Sequence, residues 1–189
     1  MKCAKRPVSG RFSDGRAIDE FHRRGYRVSM LKAVLPGSFD PPTNGHLNLI
    51  ERASLIFDET DVVIAANKSK NYLFTAEERF EMISELVKPL SNVKVFLWDK
   101  LIVDFAKKAG AKILLRGVRA LADFGYEFEL AMTNRGLASG IETMFLPTDP
   151  QFFVLRSSAI KELAGFGGDI STMVPPSVAA ALKKRLGSA

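Results

Sequence analysis

The sequence predicts an α/β fold, a doubly wound and mostly parallel five-stranded sheet. Three observations lead there. Short apolar runs of strand length alternate with longer runs whose apolar residues recur at spacings of three and four, the period of one helix face. The alternation continues through the chain with no internal repeat or low-complexity tract, and strands separated by helices pair in parallel with right-handed crossovers. A glycine-containing turn, Pro36-Gly37-Ser38-Phe39-Asp40-Pro41-Pro42-Thr43-Asn44-Gly45-His46, joins the first strand to the first helix.

In order, Met30 to Leu35 reads as the first buried strand. Leu47, Ile50, Ala53, Ile56 and Phe57 then mark one face of a helix. Val62 to Ala66 is a second strand, and Asn67 to Phe74 a polar loop. Thr75 and Glu78 have the spacing of a capping box. The helix they open carries Phe80, Ile83 and Val87 on one face and stops near Pro89. Val93 to Leu97 is a third strand, followed by a helix over about 101–109 that Gly110 ends. Ile113 to Leu115 is a fourth, with Arg116-Gly117-Val118-Arg119 beyond its end. A long helix over about 123–138 follows, with Asp123 expected as its cap, then a strand near 143–146. Ser157 and Ser158 open a short helix, and 178–186 form the last, after Pro175-Pro176.

Composition bounds the function. The 189 residues suffice for one domain with a substantial core, and 47% hydrophobic with 25% charged residues is ordinary for a soluble protein. No apolar run approaches a membrane span, and residues 1–29 lack the apolar stretch of a secretory signal. The net charge of +6 divides unevenly: residues 1–29 carry +5 and the remainder +1. That segment is expected to be a basic extension, disordered or translated from a mis-assigned start, before a domain over 30–189; a chain beginning at Met30 is expected to fold and act alone. The near-neutral body argues against nucleic-acid and membrane partners. Cys3 lies in the extension, and His46 is the body's single histidine, so no thiolate or multi-histidine metal site is expected. The lack of disulfides suits the cytoplasm.

The turn before His46 leads from the carboxyl end of a strand to a helix N-terminus. Open α/β sheets bind ligands there, and free backbone N–H groups with the helix dipole favour phosphate. Gly37 and Gly45 allow close approach of the backbone, while Ser38 and His46 supply a hydroxyl and an imidazole. Arg116 and Arg119, around a glycine, can grip two phosphates bidentately. Ser38, Lys70 and Arg116 are expected in loops after strands on one sheet edge. The pattern points to a triphosphate site.

The same residues resemble a known family. Thr43-Asn44-Gly45-His46 matches the T/H-x-G-H box of the nucleotidyltransferase superfamily. Gly37 to Pro41 precede it; Phe74-Thr75-x-Glu77-Glu78-Arg79, Arg116 to Glu127, and Phe152 to Ser158 with Ile160-Lys161-Glu162 follow in order. Together these resemble the bacterial phosphopantetheine adenylyltransferases over about residues 30–188. The resemblance implies a Rossmann-like nucleotidyltransferase fold and transfer of AMP from ATP to 4′-phosphopantetheine, releasing pyrophosphate and dephospho-coenzyme A. It also implies Mg²⁺ bound mainly through ATP, a cytoplasmic location and a homohexamer. By resemblance His46, Lys70 and Arg119 are catalytic, and Ser38, Lys70, Ile102 and Arg116 bind the acceptor. ATP would be met by Ser38, Phe39, His46, Gly117, Val118, Arg119 and Glu127, and by the stretch Phe152, Phe153, Val154, Leu155, Arg156, Ser157 and Ser158.

Several points stay open in the sequence. Family members often carry proline at the position of Lys68, and alignment to Phe74 selects Lys70 over Lys68. Ile102 touches the pantetheine arm or packs in the core. Arg156 stands where the family's first serine is expected, pointing toward ATP or outward. A different acceptor, as in nicotinamide mononucleotide adenylyl or cytidylyl transfer, and a non-catalytic nucleotide- or RNA-binding module are the competing readings.

Overall fold

The computed structural model describes residues 30–67, 69–153 and 156–187. Expectations for residues 1–29, Lys68, Val154 and Leu155 lie outside the described residues. Five strands, β1 (Lys32–Gly37), β2 (Glu59–Ala65), β3 (Val93–Trp98), β4 (Ile113–Val118) and β5 (Glu142–Pro147), alternate with helices α1 (Asn44–Ile56), α2 (Ala76–Val87), α3 (Ile102–Ala109) and α4 (Leu121–Leu137). A 3₁₀ turn at Pro150–Phe152 leads to α5 (Ser157–Gly165) and α6 (Pro176–Leu186). The strand order is β3-β2-β1-β4-β5, and every pairing is parallel.

Strand alternation sends side chains to two apolar layers. On one face Leu35, Val62, Ile64 and Leu115 pack with Ile50, Ala53, Ile83 and Val87 of α1 and α2. On the other, Val34, Val63 and Leu114 meet Val103, Phe105 and Ala106 of α3. A third cluster, Phe74, Ile160, Ile170, Val174, Val178 and Leu182, fastens α5 and α6 to the segment ahead of α2.

Local chemistry sets the helix ends. Thr75 caps α2 and Glu78 returns the bond, the expected capping box. Gly110 ends α3 at a φ of 68°, the left-handed position glycine reaches without strain. At α4 the cap is Ala120, not Asp123, which lies in the first helical turn.

The topology opens the site. β1 and β4 are neighbours but pair only at Ala33↔Ile113 and Val34↔Leu114. Beyond that point the two strands are not paired, at the place where the strand order reverses and where open α/β sheets hold ligands. Pro36, with no N–H to give to a ladder, lies in β1 just past the last pair.

Candidate active site

A cleft of about 530 Å³ occupies this gap, within the range of roughly 300–1,000 Å³ typical of small-molecule sites. One wall is the β1–α1 turn. Gly37 has no room for a side chain, because a Cβ there would stand 2.7 Å from the Phe39 ring. Phe39 itself adopts a φ of 49° and is buried. Its ring edge meets the His46 imidazole with centroids 5.1 Å apart. On the opposite wall a Cβ on Gly117 would stand 2.7 Å from a Leu49 methyl. At both walls glycine lets an apolar side chain, Phe39 or Leu49, pack directly on the backbone beside the cleft.

His46 is the third residue of α1 and completes a capping box with Thr43. Its backbone N–H donates to Thr43 Oγ1 at 3.2 Å, and the Thr43 N–H donates to His46 Nδ1 at 3.1 Å. Nδ1 is therefore an acceptor and Nε2 carries the proton, leaving an N–H donor for the cleft. Burial, and then the nearby Arg119 guanidinium, push the imidazole pKa down from 6.5 to about 4. At neutral pH His46 is an uncharged donor.

The opposite wall carries the arginines. Arg116 lies within β4, in register with Phe145 of β5, not in the loop beyond it as expected. Its Nε and Nη2 donate to the two Glu127 carboxylate oxygens at 2.6 and 2.7 Å. Its Nη1 crosses the splay to the Pro36 carbonyl at 2.8 Å. These bonds use three of the five N–H groups of an arginine, and the side chain lines the cleft. Arg119 donates to Asp123 at 3.1 Å, and Arg156 reaches the same carboxylate at 3.3 Å. Arg156 thus turns to the cleft, and no side chain caps α5.

The cleft gathers Ser38, Phe39, His46, Lys70, Arg116 and Arg119. It also takes in Gly117, Glu127, Phe152, Arg156, Ser157 and Ser158. Among the described residues three candidates lie outside it. Ile102 packs beside the apolar layer of α3, Val118 ends β4 beyond the lining, and Phe153 is exposed at the surface. Asp123 and Glu127 are the cleft's carboxylates, against four cations, Lys70, Arg116, Arg119 and Arg156. The surplus is positive, as an anionic ligand requires.

Sequence reasoning gave no role to Arg79. It is 1% exposed, donates to the Ser38 carbonyl at 2.6 Å and lies 4.0 Å from the Tyr72 ring centroid. It holds the β1–α1 turn from behind. The signal was its spacing, since Arg79, Ile83 and Val87 form the buried face of α2, and a charged residue in that row needs a partner.

The fold and cleft define a nucleotide-transferring α/β protein, and the cytidylyltransferase-like family model matches residues 34–163. A crystal structure from Vibrio parahaemolyticus, assigned as a nicotinate-nucleotide adenylyltransferase, shares the fold at a TM-score of 0.59 and 20% identity, covering 82% of this chain and 99% of that one. Among curated relatives, the phosphopantetheine adenylyltransferase of Dictyoglomus thermophilum is 46% identical over 84% of this chain and 96% of its own. That of Streptomyces coelicolor is 46% identical over 83% and 98%, and that of Lachnoclostridium phytofermentans 50% over 77% and 89%. The chain belongs to the phosphopantetheine adenylyltransferase family.

Proposed function

We propose that the protein transfers AMP from ATP to 4′-phosphopantetheine, giving dephospho-coenzyme A and pyrophosphate. The observation that carries this reading is a cationic cleft at the β1–β4 splay in a chain 46–50% identical to named phosphopantetheine adenylyltransferases. The acceptor phosphate attacks the α-phosphorus in line and pyrophosphate leaves, with no covalent enzyme intermediate. That nucleophile is already anionic, so the work left to the protein is alignment and neutralisation of developing charge. His46 supplies its Nε2–H to the α-phosphate. Lys70 and Arg119 neutralise from either side, Arg116 and Lys70 hold the acceptor phosphate, and the first turn of α5 with Ser157 and Ser158 receives the terminal phosphates. Arg156 adds a cation there.

Mg²⁺ would enter on the triphosphate oxygens. Asp123 and Glu127 are already held by arginines, and no group of three or more His, Cys, Asp or Glu among the described residues could form a cage. The assembly we propose is a homohexamer, which the exposed Leu121, Tyr126 and Met132 of α4 support as surface seeking a partner. A cytoplasmic location suits a sequence with no cysteine from Met30 onward; among the described residues no helix is long and apolar enough to cross a membrane. Incubation with ATP and 4′-phosphopantetheine, nicotinamide mononucleotide or glycerol phosphate, with pyrophosphate measured, tests the reading. Release with 4′-phosphopantetheine alone is expected; release only with another acceptor would overturn it.

A further inference from the structure

Asp40 stands behind the cleft and does not line it, yet its carboxylate joins three segments that do. It is 5% exposed. Oδ1 accepts from the Phe74 N–H at 2.9 Å, and Oδ2 from the Leu73 N–H at 3.0 Å. Oδ2 also accepts from Lys161 Nζ at 2.8 Å. Leu73 and Phe74 close the loop that carries Lys70. Lys161 lies one turn beyond Ser157 on α5, and the Ser157 hydroxyl donates to the Pro41 carbonyl at 3.0 Å. Helix α5 is thus pinned to two consecutive residues of the β1–α1 turn.

Cohesion between these segments is already provided by apolar packing, since Phe74 and Ile160 share one cluster. A buried ion pair adds little net stability beside such packing, because desolvation offsets the attraction. What the carboxylate adds is direction: apolar contact tolerates sliding, whereas hydrogen bonds fix distance and angle. An error of about 1 Å in placing a reacting group can cost on the order of 10²-fold in rate.

We propose that Asp40 is a positioning residue that sets two ligand-facing segments in register with the β1–α1 turn, α5 through Lys161 and the Lys70 loop through the amides of residues 73 and 74. This rests on the AMP-transfer reading, in which α5 meets ATP and the loop serves the acceptor. The two arms are separable. Loss of the Lys161 ammonium loosens α5 alone, whereas Asp40→Asn weakens both arms, since an amide has one acceptor oxygen and no charge.

Calorimetric titration with ATP and, separately, with 4′-phosphopantetheine tests this on wild type, Lys161→Met, Lys161→Arg and Asp40→Asn. Lys161→Met is expected to weaken ATP by about tenfold and to leave 4′-phosphopantetheine within about twofold. Lys161→Arg should restore most of the ATP affinity, and Asp40→Asn should weaken both ligands. The proposal is overturned if Lys161→Met moves neither affinity or both alike, or if Lys161→Arg binds ATP no better than Lys161→Met. Should Asp40→Asn fail to fold, the two lysine variants, altered at a side chain 28% exposed, still decide. Wild-type protein that releases no pyrophosphate from the two substrates would sink the AMP-transfer reading, while the ATP series would still judge Lys161.

Discussion

The two ends of the sheet carry similar side chains arranged to opposite effect. At the amino end, Lys32 meets Glu59 at 2.6 Å and Asp61 at 2.8 Å, and Lys94 meets Glu59 at 3.2 Å. Two cations match two carboxylates. Asp61 is fully buried, and its contact with Lys32 is an ion contact without hydrogen-bond geometry. Burial pushes the Asp61 carboxyl up, while the Lys32 hydrogen bond holds Glu59 down. Burial works against the Lys32 charge, but Asp61 and Glu59 outweigh it and raise its pKa. At the carboxyl end, four cations face two carboxylates around an open cleft. Charge that closes on itself is costly to break by halves; charge left in surplus waits for a ligand.

Lys32→Met should have the largest effect, breaking the closed end by leaving Asp61 buried and unpaired. A loss of about 3–5 kcal/mol in unfolding free energy is expected, with the KM values of the surviving folded enzyme unchanged. Urea unfolding alongside steady-state kinetics checks it, and a shifted KM would tie the amino end to the site. His46→Ala should act the other way, lowering turnover by at least about 10²-fold with a modest change in ATP affinity. Near-normal turnover in a folded variant would remove His46 from the mechanism.

Arg116→Ala should weaken 4′-phosphopantetheine by on the order of tenfold or more and ATP much less. If calorimetry found ATP alone weakened, the roles of Arg116 and Arg119 would be exchanged. Arg156→Ser should be milder, because this arginine is exposed and long-bonded: a few-fold loss of ATP affinity is expected, with AMP affinity unmoved. Equal losses for ATP and AMP would place Arg156 away from the terminal phosphates.

The last effect is one of pH. His46 has a folded pKa near 4 against an ordinary 6.5, so the unfolded chain binds the proton more readily. The stability gained from keeping this ring neutral is whole above about 6.5 and is lost as the pH falls through about 4. In a titration followed by NMR, the His46 ring resonances should hold steady from pH 8 to about 5. A midpoint near 6.5 would contradict the buried, neutral donor.

Much of this was legible in the residues. Periodicity gave the order of the strands and helices, and Thr75, Glu78 and Gly110 act as their types predict. Pairing that a single segment cannot reveal was harder to read. Arg116-Gly117-Val118 reads as a turn, yet β5 pairs with each residue, at Phe145, Leu146 and Pro147, and extends β4 through Val118; long-range ladders override local preference. Glu59-Thr60-Asp61 looks too polar for a strand until Lys32 and Lys94 arrive from its neighbours. His46 is hidden as a capping residue because the usual box ends in Glu or Gln. Asp123 reads as a cap and instead accepts from two arginines, Arg119 four residues before it and Arg156 ahead of α5.

The parting of β1 and β4 after Leu114 has a consequence for descent. On the proposed assignment, the nucleotide is met largely by the β1–α1 turn and α5, and the acceptor phosphate by Arg116 on β4. These walls belong to separate stretches of chain, joined past Leu114 not by a ladder but by the Arg116 bond to the Pro36 carbonyl. Substitutions on β4 can therefore recruit a new acceptor while the nucleotide wall is inherited intact.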